Sequence, residues 1–329
     1  MLRSMYSGIS GLKNFQTKLD VIGNNIANVN TFGFKKGRVV FKDMISQSVA
    51  GASAATDTRG GVNPKQVGLG SQIAAIDTIH TGGNLQSTNR LLDLAISGDG
   101  YFILGQASTT AGSSGSVTVD ANGNQVINPS SQPTTTGVNN LSYTRAGNFY
   151  LDNQGFLVNN DGLYVLGSQA TVAADGTTTI PPLGDNLTGT GSQAIYIPVD
   201  AKEMAIGTDG TITYITGSDA VDANGNVTVA AGTLVTAGKL AMAKFPNTGG
   251  LQKIGSNQFQ PTANSGEPVY SFSGELGTGT IESGMLEMSN VDLSEEFTEM
   301  IVAQRAFQAN TRIITTSDEI LQELTNLKR

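Results

Sequence analysis

Apolar positions near the N-terminus recur at steps of three and four: Leu2, Met5, Ile9 and Leu12, then Phe15, Leu19, Ile22, Ile26 and Val29. This period marks an amphipathic helix or a coiled-coil seam, with a three-residue stammer near Leu12. Gly8, Gly11 and Gly23 interrupt it, each costing a helix about 1 kcal/mol relative to Ala. The segment is therefore weak as an autonomous helix. Gly8 and Gly11 fall on one face, where a neighbouring helix has room to approach closely. The pattern then runs into Asn24, Asn25, Asn28 and Asn30, whose amides compete for nearby backbone groups and disfavour a helix interior.

A second stripe lies at the C-terminus. Leu293, Phe297, Met300, Phe307, Ile314 and Leu321 follow a four-three alternation, with Gln304, Thr311 and Asp318 at the intervening seam positions. Ile320, Leu324 and Leu327 continue an apolar stripe beside it. Asp292 followed by Glu295 reads as an N-cap with its capping-box partner. A continuous helix from 293 to 327 would be roughly 50 Å long.

Between the ends the period changes to that of strands. "LDLAISGDGYFIL", "YTRAGNFYLDNQGFLVNNDGLYVLG" and "EMAIGTDGTITYIT" are short β-type runs punctuated by Asp99-Gly100, Asp161-Gly162 and Asp209-Gly210, dipeptides that favour tight hairpin turns. The expected fold is α+β, with discontinuous N- and C-terminal coiled-coil helices flanking an antiparallel β-rich body. Insertions near 107–140 and 168–192 are rich in Ser, Thr, Gly, Asn and Pro and read as surface loops.

Composition narrows the function. The chain has 329 residues, no cysteine and a formal net charge of −8, which removes disulfides, thiolate metal sites and cysteine nucleophiles and speaks against nucleic-acid or anionic-membrane binding. Residues 1–45 hold seven Lys/Arg against two Asp, whereas residues 286–329 hold eight acids against four bases. Opposite charge on two amphipathic ends suggests that they meet, within one molecule or between copies. No run of eighteen apolar residues is present and the N-terminus lacks the apolar core of a secretory signal, so export would need another route.

Residues with catalytic or metal-binding chemistry are few. His80 is the only histidine, read as a loop or solvent-facing residue, and no G-x-S-x-G elbow accompanies it. "GTLVTAGKL" fails as a phosphate loop because its spacing is wrong and Leu240 replaces the Ser/Thr that holds magnesium. "DNQGFLVNNDG" lacks the acidic spacing of a calcium loop. Lys35, Lys36, Arg38 and Lys42 form a basic group without interleaved stacking aromatics. The expectation is a protein with no catalytic, cofactor or metal site; a carbohydrate-active enzyme would need paired carboxylates at a cleft, and Asp93 and Asp99 fit turn roles better.

"GISGLKNFQTKLDVIGNNIANVNTFGFKK" and "SNVDLSEEFTEMIVAQRAFQANTRIITTSDEILQELTNLKR" resemble the terminal signatures of the bacterial flagellar axial proteins of rod and hook. "LDLAISGDGYF" and "YTRAGNFYLDNQG" resemble internal motifs of the hook and distal-rod branch. The likeness is nearest to the hook branch of Gram-positive type, with the distal rod as the alternative.

This resemblance implies a helical homopolymer. The terminal segments 1–30 and 293–329 would form its inner coiled-coil core. Segments 31–70 and 281–292 would link that core to a β-rich outer domain at 71–280. The implied polymer interface comprises Ile9, Leu12, Leu19, Ile22, Asn24, Asn25, Ile26, Asn28, Phe297, Met300, Phe307, Ile314, Leu321 and Leu324. Implied partners are other copies of the chain, the flagellar rod and hook–filament junction proteins, the hook cap and the type III export apparatus. The implied place is the flagellum, outside the cell after signal-peptide-independent export. On this view the asparagines bond backbone groups freed where the helix stops, and Gly33 permits the turn out.

Overall fold

The computed structural model describes residues 2–56, 58–107, 118–119, 125–126, 138–172, 178–183, 193–198, 201–217, 220–221 and 227–327. N- and C-terminal helices flank an antiparallel β-rich body. The chain divides into two compact units. The first comprises 1–30, 35–79 and 291–329; the second comprises 31–34 and 80–290.

In the first unit, helix α1 (Leu2–Ala27) packs along helix α2 (Leu293–Asn326). Gly8 lies against Ile314, Gly11 against Asn310, Lys18 reaches Glu299 and Asn25 reaches Glu296. Numbers rise on one helix as they fall on the other, so the pair is antiparallel. The Asp292 carboxylate caps α2 by accepting from the Ser294 amide at 2.8 Å, while the Glu295 carboxylate is engaged by Lys36 Nζ at 2.7 Å. Strands Gly37–Asp43 and Ser71–Thr78 form an antiparallel ribbon against α1, where the Phe15 and Phe41 rings sit 5.7 Å apart. A second ribbon, Ser46–Ala50 with Lys65–Gly68, is exposed along its whole length.

The second unit is built on strands Tyr101–Ala107 and Leu234–Lys244, which pair antiparallel with Met242 opposite Phe102. Strand alternation then sorts their side chains. Phe102, Leu104, Leu240 and Met242 enter one core with Leu94, Phe149 and Ile212, while Tyr101, Ile103, Ala241 and Ala243 enter another with Tyr143, Phe245 and Phe259. The sheet thus carries a core on each face, which is why its central runs read as continuously apolar.

Two of the expected turns close hairpins: Leu157–Val158 pairs with Tyr164–Gln169 around Asp161-Gly162, and Met204–Ile206 pairs with Thr211–Ile215 around Asp209-Gly210. Asp99-Gly100 does not. Strand Leu94–Ser97 pairs with Thr280–Ser283, while Tyr101 begins a strand of the large sheet. The chain changes sheet between them through Gly98 and Gly100, whose φ values of +117° and +135° suit a residue without Cβ. Most of the two insertions lie outside the described residues. The parts within them are not all loop: Thr118–Val119, Gln125–Val126, Thr171–Val172 and Thr178–Thr179 pair into a small sheet.

Candidate assembly surface

The α1–α2 seam differs by one residue from the one read in the sequence. Glu296, Ala303 and Ser317 are buried and Asn310 half-buried, whereas Phe297, Gln304, Thr311 and Asp318 are exposed. Of the second row, Met300, Ile314 and Leu321 are half-buried and Phe307 is exposed. On α1 the seam residues are Gly8, Gly11, Lys18, Ile22 and Asn25. Ile9, Leu12, Leu19 and Ile26 stand beside the seam, Ile9 exposed and the others half-buried. The cause is helix separation. Gly8 and Gly11 facing Asn310, with Ala303 and Ser317 further along α2, let the backbones approach; large apolar side chains at those positions would hold them apart.

Asn25 and Asn28 bond within the chain. Asn25 is 2% exposed and its amide copies a peptide group: Nδ2 donates to the Gly37 carbonyl at 2.9 Å while Oδ1 accepts from the Gly37 amide at 3.0 Å. The same Nδ2 lies 3.2 Å from Glu296 Oε2. One side chain thus ties α1, α2 and the first strand together. Asn28 Nδ2 caps the helix end by donating to the Asn24 carbonyl at 2.9 Å. Ile22, 3% exposed, and Asn25 are therefore covered by their own chain.

Charge completes this region. Lys18 pairs with Glu299 at 2.9 Å and Lys36 with Glu295 at 2.7 Å, so the basic start and acidic end of the chain meet in one molecule. Arg38 lies 3.4 Å from Asp77, and Lys35 is 1% exposed, so the basic group does not form a free patch. Burial raises the pKa of the Glu296 carboxyl, against the opposing pulls of the Asn25 amide and Lys36.

The seam leaves several large apolar side chains uncovered. Phe297 and Ile301 are exposed on one flank of α2, and Val302, Ile313, Ile320 and Leu324 on the other; Tyr6 and Ile9 are exposed on α1. Leu324 and Leu327 lie where α2 overhangs the start of the shorter α1. Apolar flanks rimmed by charge mark sites of association.

His80 is partly buried rather than solvent-facing, its ring 5.3 Å from that of Phe259 and its Nδ1 2.8 Å from the Tyr101 hydroxyl. Among the described residues no group of three or more His, Asp or Glu is placed to hold a metal ion, and no helix is long and apolar enough to cross a membrane. "GTLVTAGKL" runs into the central strand Leu234–Lys244.

Comparison with known proteins fits this arrangement of ends and body. Family models described as "Flagella basal body rod protein", "Flagellar hook protein FlgE/F/G D1 domain" and "Flagellar basal body rod FlgEFG protein C-terminal" match residues 5–35, 132–214 and 282–327. The flagellar basal-body rod protein FlgG of Bacillus subtilis is 50% identical over 330 residues, covering all of both chains. The chain belongs to the flagellar rod and hook protein family. The flagellar hook protein FlgE of Borreliella burgdorferi is 36% identical over 442 residues, and the rod protein FlgG of the same organism 33% over 334, each alignment covering all of both chains. Members of this family are structural components of the flagellum, not enzymes, and the chain is such a component. The exposed flanks of α1 and α2 thus lie in segments that the family models match at both ends.

Proposed function

We propose that the chain is the subunit of the flagellar hook, assembling with itself into a helical tube that transmits motor torque as a flexible joint. The observation that carries self-assembly is the set of apolar flanks left open beside a seam of small residues. Each α1–α2 pair is closed internally yet keeps Phe297, Ile301, Val302, Ile320 and Leu324 available to neighbours. Burying one such side chain contributes about 1.5–3 kcal/mol, repeated in every copy. In this reading 1–30 and 293–329 form the inner core, with Ile9, Leu12, Leu19, Ile26, Phe297, Met300, Phe307, Ile314, Leu321 and Leu324 at or beside contacts between copies.

The hook assignment is supported by the pair of relatives from one organism, where the hook protein is the more similar of the two. The distal rod is the second reading, favoured by the 50% identity and equal length of the Bacillus subtilis protein named as rod. Export without a cleaved signal, through the type III apparatus and beneath a hook cap, goes with either.

Deleting the gene and imaging isolated basal bodies separates the two. Complete rods lacking hooks are expected; rods ending short would assign the chain to the rod. For self-assembly, purified protein is expected to form tubes at high salt or concentration, and a chain that stays monomeric under every condition tried would refute it.

A further inference from the structure

The chain that leaves α1 does not run past the β body as a loose linker. Residues 31–34 belong to the second unit and are seated in it. The Phe34 amide closes a turn on the Thr31 carbonyl at 3.3 Å, and within that turn Gly33 takes φ +70°. The Gly33 amide donates to the Glu287 carbonyl at 2.8 Å, and a Cβ there would lie 2.6 Å from the Ala146 nitrogen. Asn257, itself in the left-handed region at φ +58°, donates through Nδ2 to the Phe32 carbonyl at 3.0 Å. Phe34 is buried, with Lys253 Nζ 4.8 Å from its ring centroid.

The floor of this seat is held by a fully buried ion pair. Arg145 Nη1 reaches Glu287 Oε2 at 3.2 Å and Nη2 donates to the Gly98 carbonyl at 2.7 Å, while Glu287 Oε1 accepts from the Gly83 amide at 2.9 Å. The two side chains are 3% and 1% exposed. Residue 287 therefore holds Arg145 with its side chain and Gly33 with its backbone, and Ala146, next to Arg145, is the residue whose backbone leaves no room at Gly33. A buried charge pair specifies arrangement more than it adds stability, and here it fixes the wall and the acceptor that receive Gly33.

We propose that Thr31–Phe34 is a latch, a four-residue plug that locks the N-terminal connection into the β body on the Arg145–Glu287 pair and Asn257, so that force on the terminal helices enters the body at this seat. The latch stands on the geometry of the second unit alone; that it carries force rests on the axial-subunit reading above.

The test uses hydrogen exchange of the full-length chain with residue resolution. Asn257→Gly keeps the left-handed backbone and removes only the donor to Phe32; Ser256→Gly, in the same turn at φ +49°, is the control. Loss of one hydrogen bond is expected to speed exchange at Gly33 and Phe34 about fivefold to tenfold, with Ile103 and Val165 in the body unchanged and the control silent. Gly33→Ala is expected to release the plug entirely, bringing residues 31–34 to the rate of unstructured chain. Wild-type residues 31–34 exchanging at that rate, or both variants leaving Gly33 as protected as before, would overturn the latch. In cells, the two variants are expected to assemble but swim poorly under viscous load. Faster exchange with normal swimming would keep the latch and refute its load-bearing role.

Discussion

The glycines of α1 offer a sharp test because the same substitution should have three different outcomes. Gly23 has nothing within 4 Å of an added Cβ and lies inside the helix. Gly23→Ala should stabilise the first unit by about 1 kcal/mol, the full difference in helix propensity. Gly8→Ala meets Ile314 Cγ1 at 3.4 Å, ordinary contact, and should gain nearly as much. Gly11 is different: an added Cβ lies 2.8 Å from Asn310 Nδ2 and 3.2 Å from its Cγ. The amide of Asn310 must swing away, at a cost of about 0.5–1.5 kcal/mol for an off-rotamer side chain. That cost cancels the propensity gain, so Gly11→Ala should be close to neutral.

Gly11→Leu leaves no such escape. Overpacking costs roughly 1–3 kcal/mol, and parting the helices re-exposes Met300 and Ile314 at about 0.8 kcal/mol per CH2. The net loss should be about 2 kcal/mol or more, a shift of thirtyfold or so in the unfolding equilibrium. Urea unfolding of the full chain, followed by circular dichroism at 222 nm and by hydrogen exchange of α1 and α2 peptides, reads this directly. The order expected is Gly23→Ala above Gly8→Ala, then Gly11→Ala, then Gly11→Leu. If Gly11→Ala gains as much as Gly23→Ala, or Gly11→Leu is tolerated, the two helices do not approach at Gly11 and the seam is wrong.

Phe297→Asp, at an exposed flank position, should leave the helical signal of the monomer intact and block tube formation seen by negative stain; normal tubes would remove that flank from the interface. Ile22→Asp, by contrast, places a charge at a site 3% exposed and should unfold the helix pair itself, by about 3 kcal/mol or more, while the β body keeps its cooperative melt. Arg145→Met removes the guanidinium that meets Glu287 Oε2 at 3.2 Å and the Gly98 carbonyl at 2.7 Å and should destabilise the body by about 1.5–3 kcal/mol; a change below about 1 kcal/mol in denaturant unfolding would show that Arg145 is not needed. Burial holds the Glu296 pKa above the usual carboxylate range, so the folded unit binds that proton more tightly than the unfolded chain. Its contribution to stability is fully present below the ordinary Glu value and is lost as pH rises through the raised one. Glu296→Gln should therefore flatten the pH dependence of helix unfolding across that window, and an unchanged slope would assign the dependence to other groups.

How much of this was legible depends on what set each feature. The two helices were visible because a period of three and four needs only local sequence, and the strands because the Asp161-Gly162 and Asp209-Gly210 hairpins are closed by neighbours in the chain. Asp99-Gly100 looked the same but serves a change of sheet, since Leu94–Ser97 finds its partner at Thr280–Ser283, far along the chain. The seam was misplaced by one residue for a related reason: counting apolar residues selects Phe297, Leu19 and Ile26, whereas close helix approach selects small ones. The signal was present as Glu296, Ala303, Asn310 and Ser317, spaced by sevens on α2, and Gly8 and Gly11 on α1. A strictly apolar search gives such a row no weight. The row of small residues bears on function. A helix pair that spent Phe297, Ile301 and Ile320 on its own seam would close on itself and offer little apolar surface to others. By meeting through glycine, alanine, serine and asparagine beside Met300 and Ile314, α1 and α2 leave Phe297, Ile301, Ile320 and Leu324 exposed, a surface that an isolated monomer has no reason to keep and a repeating assembly would cover.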